Sequence, residues 1–161
     1  MKPLLYSTTF LSVLVASTFA HAESFKHVSK DSGNVLEIEQ SYSEDGVSQP
    51  RVSINGAVLR DFSLKQKLTL VYSDKLDDAE EVTVIHHWDG GNACSGNLTV
   101  FSLSKDGFFQ SSDLGNCTET YEAAVINDEG FKVLEIKTYQ DETKETESGR
   151  WHYSDGFVAK R

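Results

Sequence analysis

From residue 23 onward, apolar and polar positions alternate with the period of a β-strand rather than that of a helix. The run "NVLEIEQSY" places Leu36, Ile38 and Tyr42 on one face and Glu37 and Glu39 on the other. "KLTLVY" aligns Leu68, Leu70 and Tyr72. "EVTVIHHW" aligns Val82, Val84, His86 and Trp88 against Thr83, Ile85 and His87. "NLTVFSL" and "FKVLEIKTY" continue the pattern and are rich in the β-branched and aromatic residues that fit a pleated surface. Between the runs stand Asn55-Gly56, Asp106-Gly107 and Asp155-Gly156, pairs that permit positive φ in tight hairpins. Residues 127–131, "NDEGF", read as a slightly longer hairpin loop closing on Gly130. The expectation is an all-β fold in one domain, a single antiparallel sandwich or barrel of about eight strands, mostly hairpin-connected. No ten-residue window carries a helical stripe. Residues 73–81, "SDKLDDAEE", read as a short helical turn or an acidic loop, and residues 140–148, which hold no apolar side chain, as a solvated loop. No repeat is visible in the sequence.

The first 22 residues depart from this pattern and read as an export signal. Lys2 provides the positive start, "LSVLVASTFA" a short apolar core, and Ala20-His21-Ala22 a small-x-small cleavage site. The expected mature chain is one domain, residues 23–161, located in the periplasm or secreted, with no membrane insertion after signal removal. It carries all 25 acidic residues of a chain whose net charge is −10. Such a field repels phosphate backbones, which argues against nucleic acid, and it speeds encounter with a basic protein partner.

Cys94 and Cys117 are the only cysteines. In an exported chain two cysteines are expected to pair, closing a loop worth roughly 3 kcal/mol in the chain-entropy picture. The first of them lies in "HHWDGGNACSGN", the densest cluster of chemistry-bearing residues. Neighbouring residues on a strand point to opposite faces, so His86 and His87 cannot chelate one metal ion from a regular strand. The metal-ligand candidates are therefore weak: His86, His87 and His152, with His27 or Asp89 as further ligands, and no metal or other cofactor is expected. Ser95 precedes Gly96, but a nucleophile elbow needs glycine two residues before and two after, where Ala93 and Asn97 stand. Two glycosylation sequons, at Asn97 and Asn116, carry no meaning in a bacterial export product. The structural reading makes the segment a glycine turn anchored by a Cys94–Cys117 staple, beside which Trp88, Asp89 and Asn92 offer a binding surface.

"GGNAC" (Gly90 to Cys94) followed by "LGNC" (Leu114 to Cys117) resembles a group of exported bacterial proteins of unassigned function. Those proteins share a Gly-Gly-Asn-Ala-Cys motif and a later Gly-x-Cys motif, and the closing "WHYSDGFVAKR" is similar to their aromatic-then-turn ending. Ser95 departs from the proline expected there, and the N-terminal half carries no resemblance. The resemblance implies export and a disulfide, and no chemistry. "SGRWHY" (Ser148 to Tyr153) is also similar to the Ser-Gly-x-x-Tyr loop by which periplasmic lysozyme inhibitors enter their enzyme's cleft, with Tyr153 one residue late. That similarity implies a basic muramidase as partner and adds Arg150, Trp151 and Tyr153 to the candidate surface. The competing reading of Trp151 and Tyr153 is two core-facing rings on one strand. Together these features point to a non-enzymatic binding protein of the envelope, an inhibitor or immunity protein against a hydrolase or toxin. The alternatives are a structural or accessory envelope protein, and a metal-dependent enzyme using the His86, His87 and Asp89 region, with Ser95 as a further candidate residue.

Overall fold

The computed structural model describes residues 25–31, 33–42, 48–61, 67–88, 96–115, 120–140 and 142–161. Residues 1–24, with the expected export signal, and Asp89, Asn92, Ser95, Asn116, Cys94 and Cys117 lie outside the described residues. The described chain is all-β, with twelve strands: β1 (Phe25–Asp31), β2 (Asn34–Tyr42), β3 (Ser48–Ile54), β4 (Ala57–Asp61), β5 (Lys67–Lys75), β6 (Glu80–Trp88), β7 (Asn97–Ser104), β8 (Gly107–Gln110), β9 (Thr120–Asp128), β10 (Phe131–Tyr139), β11 (Glu147–Ser154) and β12 (Phe157–Lys160). They form three four-stranded antiparallel meanders in chain order: sheet A (β1 to β4), sheet B (β5 to β8) and sheet C (β9 to β12). The sequence shows no repeat of domain length, yet the same architecture is built three times.

Two apolar clusters place the sheets. Leu36, Ile38, Val52 and Ile54 of sheet A pack on Leu68, Ile85, Phe101 and Leu103 of sheet B. Val82, Val84, Leu98 and Val100, from the opposite face of sheet B, pack on Leu134, Ile136 and Tyr153 of sheet C. Sheet B is thus the middle of three layers. The expected single sandwich or barrel of about eight strands is corrected to a three-layer stack of twelve, with each sheet open at its edges. The reason lies in β6 and β7, where consecutive residues are buried: Val82, Thr83, Val84 and Ile85 on one, and every position from 98 to 103 on the other. Alternation of apolar and hydroxyl residues reads as core against solvent, but here the hydroxyls face a second core and satisfy one another. Thr83 bonds Ser73 at 3.2 Å, Thr99 bonds His87 and Asp113, and Ser102 bonds Tyr153.

Three local expectations also change. A β-bulge at Val71 lets Leu70 pair with Ile85 but Tyr72 with Val84, so Tyr72 turns away from the face of Leu68 and Leu70 and packs in the second core. Residues 127–131 form a two-residue turn, Glu129-Gly130, at φ 52° and 91°, the type I′ geometry, rather than a longer loop. Residues 73–81 end β5, bend at 76–79 and begin β6, with no helical turn.

Candidate functional site

The short connections within the three meanders gather at one end of the molecule. In sheet A, Asn55 accepts from the Val35 N–H at 2.8 Å and donates to Asn34 Oδ1 at 3.0 Å, tying the β3–β4 turn to the start of β2. Asn34 Nδ2 in turn donates to the Ser104 carbonyl at 2.9 Å, fixing that end of sheet A against the β7–β8 turn. The turns of sheets B and C flank a cleft of about 380 Å³, lined by Asp77, Ala79 and Glu80 at the start of β6, Lys105 to Phe109 at the β7–β8 turn, and Tyr153, Asp155 and Gly156 at the β11–β12 turn.

The floor of the cleft is a polar lock. The Tyr153 hydroxyl donates to the Glu80 carboxylate, the Ser102 hydroxyl lies 2.6 Å away, and the Gly156 N–H donates to the phenol oxygen at 3.2 Å. Burial first, then the Glu80 carboxylate, pushes the phenol far above its ordinary range, so it stays a protonated donor at physiological pH. Asp77, Glu80, Asp106 and Asp155 supply carboxylates against the single ammonium of Lys105, with Phe108 and Phe109 as an apolar wall. A cleft of this kind attracts an ammonium or guanidinium group and covers its aliphatic stem.

The residues singled out in the sequence are dispersed. Tyr153 is 1% exposed, and Trp151 packs against the same core beneath the Lys160 ammonium, 5.7 Å from the ring centroid. The Tyr153 ring is thus a core side chain whose hydroxyl reaches the cleft floor, and Trp151 is half-buried on the same face of the strand. Residues 148–153 lie within β11, paired with β10 from Gly149 on and with β12 from Trp151 on, so the segment resembling an inhibitor loop is a strand here. Gly149 has a packing reason of its own: a Cβ there would sit 2.2 Å from the Trp151 ring.

Arg150 points to the outer face of sheet C, where it clamps Glu147 through two nitrogens at 3.0 and 2.7 Å. On the same face His152 stands between Asp128, 3.2 Å from Nδ1, and Glu135, 3.1 Å from Nε2. Burial pushes Glu135 up, but Lys137, His152 and Arg150 outweigh it and hold that carboxyl below its usual range.

His86 and His87 face opposite sides of sheet B, as strand geometry requires. His86 lies against the Tyr121 ring of sheet C, 5.1 Å between centroids. His87 is 2% exposed and bonds Thr99 at 3.2 Å and Asp113 at 3.3 Å. Trp88 is half-buried at the end of β6, paired with Lys67. Among the described residues no group of three or more His, Cys, Asp or Glu side chains is placed to hold a metal ion. Gly96 is a close-approach glycine, since a Cβ on it would meet the His87 carbonyl at 2.4 Å.

The cleft residues Asp77, Glu80, Asp106, Asp155 and Phe108 escaped the sequence reading. Asp106, Phe108 and Asp155 belong to the Asp-Gly-Phe that occurs at both 106–108 and 155–157, whereas nothing local marks Asp77 or Glu80. No protein-family model, curated protein or solved structure matches this chain.

Proposed function

We propose that this chain is an exported, non-enzymatic binding protein that inhibits a basic hydrolase or toxin, with a lysozyme-type muramidase as the leading target. The observation that carries the reading is the acidic cleft at the turn end, where carboxylates from sheets B and C converge on a site large enough for a basic side chain. A net charge of −10 extends the same field outward and favours encounter with a cationic enzyme. Export is supported by the signal-like residues 1–22. The Cys94–Cys117 staple is supported by the backbone pairing of Leu98 with Leu114, at 2.9 and 2.7 Å, which brings the described chain leading to each cysteine side by side.

The test is depletion of muramidase activity from a periplasmic extract by the immobilised mature protein. Activity is expected to fall at low salt and to return at high salt or with the Asp77→Asn/Asp106→Asn/Asp155→Asn variant. Retention of no basic hydrolase, or retention that ignores both salt and those substitutions, would overturn the proposal.

A further inference from the structure

Phe131, Phe157 and Phe108 are the most exposed large apolar side chains among the described residues, at 73%, 68% and 49%. Each stands immediately after a turn glycine: Gly130, Gly156 and Gly107. Gly107, Phe108 and Gly156 line the acidic cleft. The Glu129-Gly130 turn closes β9 and β10 at the same end of sheet C as the Asp155-Gly156 turn closes β11 and β12. The exposed aromatics therefore stand at the cleft end of their sheets, Phe108 paired with Leu103 on the side of sheet B that faces sheet A, and Phe131 and Phe157 on the face of sheet C opposite the one carrying Leu134 and Val158. A carboxylate stands two positions before each one, Asp106, Glu129 and Asp155, with Asp77 and Asp78 on the bend between β5 and β6.

We infer that this turn end is a docking surface for a protein segment that presents lysine or arginine together with apolar side chains, anchored by Phe108, Phe131 and Phe157. The inference rests on the acidic end being the binding end, and it adds a second component to that reading. Aromatic anchors supply most of the energy of typical interfaces, while charges at the rim supply rate and orientation. Stacked sheets lie about 10 Å apart and strands about 4.8 Å apart, so the end of three four-stranded layers covers roughly 600 Å², approaching the roughly 800 Å² per partner of a standard interface. Charge selects the occupant. A second copy of the chain docked end to end would oppose the same carboxylates, and an anionic lipid surface would be repelled by them.

The experiment titrates the protein with two labelled peptides of equal positive charge, one of lysine and leucine and one of lysine and serine. Fluorescence anisotropy is read at low and high salt. The wild type is expected to bind the lysine–leucine peptide at least tenfold more tightly, and Phe108→Ser/Phe131→Ser/Phe157→Ser to level the two. A cooperative urea transition and a wild-type far-UV circular dichroism spectrum of the triple variant check that it has not lost its fold, with Val28→Ser as the exposed-strand control for binding. Equal, salt-sensitive binding of both peptides by the wild type would overturn this inference while leaving the acidic-end reading intact. Binding of neither would overturn both. A wild-type dimer dissociated by Phe157→Ser would assign the surface to a second copy, and wild-type partition onto zwitterionic vesicles would assign it to lipid; either result overturns the inference.

Discussion

Tyr153 shows what a single side chain does when its two ends face different surroundings. Its ring fills the core between sheets B and C, in contact with Phe109 at 5.2 Å between centroids, while its hydroxyl ties the β11–β12 turn to Glu80 and Ser102. Tyr153→Phe keeps the ring and removes the donor from a partly buried carboxylate. The expected cost is about 1–3 kcal/mol, the usual penalty for stranding a buried polar group, read as a lower urea midpoint with an unchanged slope. An unchanged midpoint would mean that the lock contributes nothing.

At the scale of the element, the hairpins differ in what they demand of their residues. Asn55 holds φ 50° in a type I′ turn and also accepts from Val35. Asn55→Ala removes that bond and leaves alanine in left-handed backbone, which asparagine tolerates better, for an expected loss of about 1–2 kcal/mol. Asn55→Gly, which relieves the backbone but not the lost bond, should fall between alanine and wild type in thermal denaturation. An alanine variant as stable as the wild type would show that the turn tolerates either loss. The Lys105-Asp106 turn has no residue at positive φ in its two-residue loop, because Gly107 carries the unusual conformation, at 139°, as the first residue of β8. The four turn positions were legible from composition because left-handed backbone selects Gly, Asn and Asp locally. The bulge at Val71 was not, because nothing in "KLTLVY" marks where the pairing with β6 slips.

Across the whole molecule, His27 links sheet A to sheet B through Ser73, with 3.2 Å between Nε2 and Oγ. Burial lowers its pKa below the ordinary histidine value, opposed in part by Glu81. A depressed histidine binds fewer protons folded than unfolded, so its contribution is present above about pH 6.5 and is lost as pH falls through that value toward the folded pKa. Urea midpoints are expected to drop between pH 7.5 and 5.5, and His27→Gln to shrink that drop. If the variant shows the same pH dependence, the titrating group lies elsewhere. The depressed carboxyls of Glu135 and Glu147 act in a lower window, their contribution being present above the usual carboxylate pKa and lost below it.

What the sequence by itself determined is what neighbouring residues decide. The period of two made strands of "NVLEIEQSY" and "FKVLEIKTY", which became β2 and β10 with those bounds, and the Asn-Gly and Asp-Gly pairs made hairpins. Layering was decided only in the tertiary structure, because a hydroxyl on a strand has the same local pattern whether it meets water or a second core. Thr83, Thr99 and Ser102 are buried only because sheets A and C cover both faces of sheet B. The candidate site divides the same way. Each Asp-Gly-Phe was visible as a turn, but the cleft exists only because separate meanders bring Asp77, Glu80, Asp106 and Asp155 to one end, and that convergence is a property of packing between sheets.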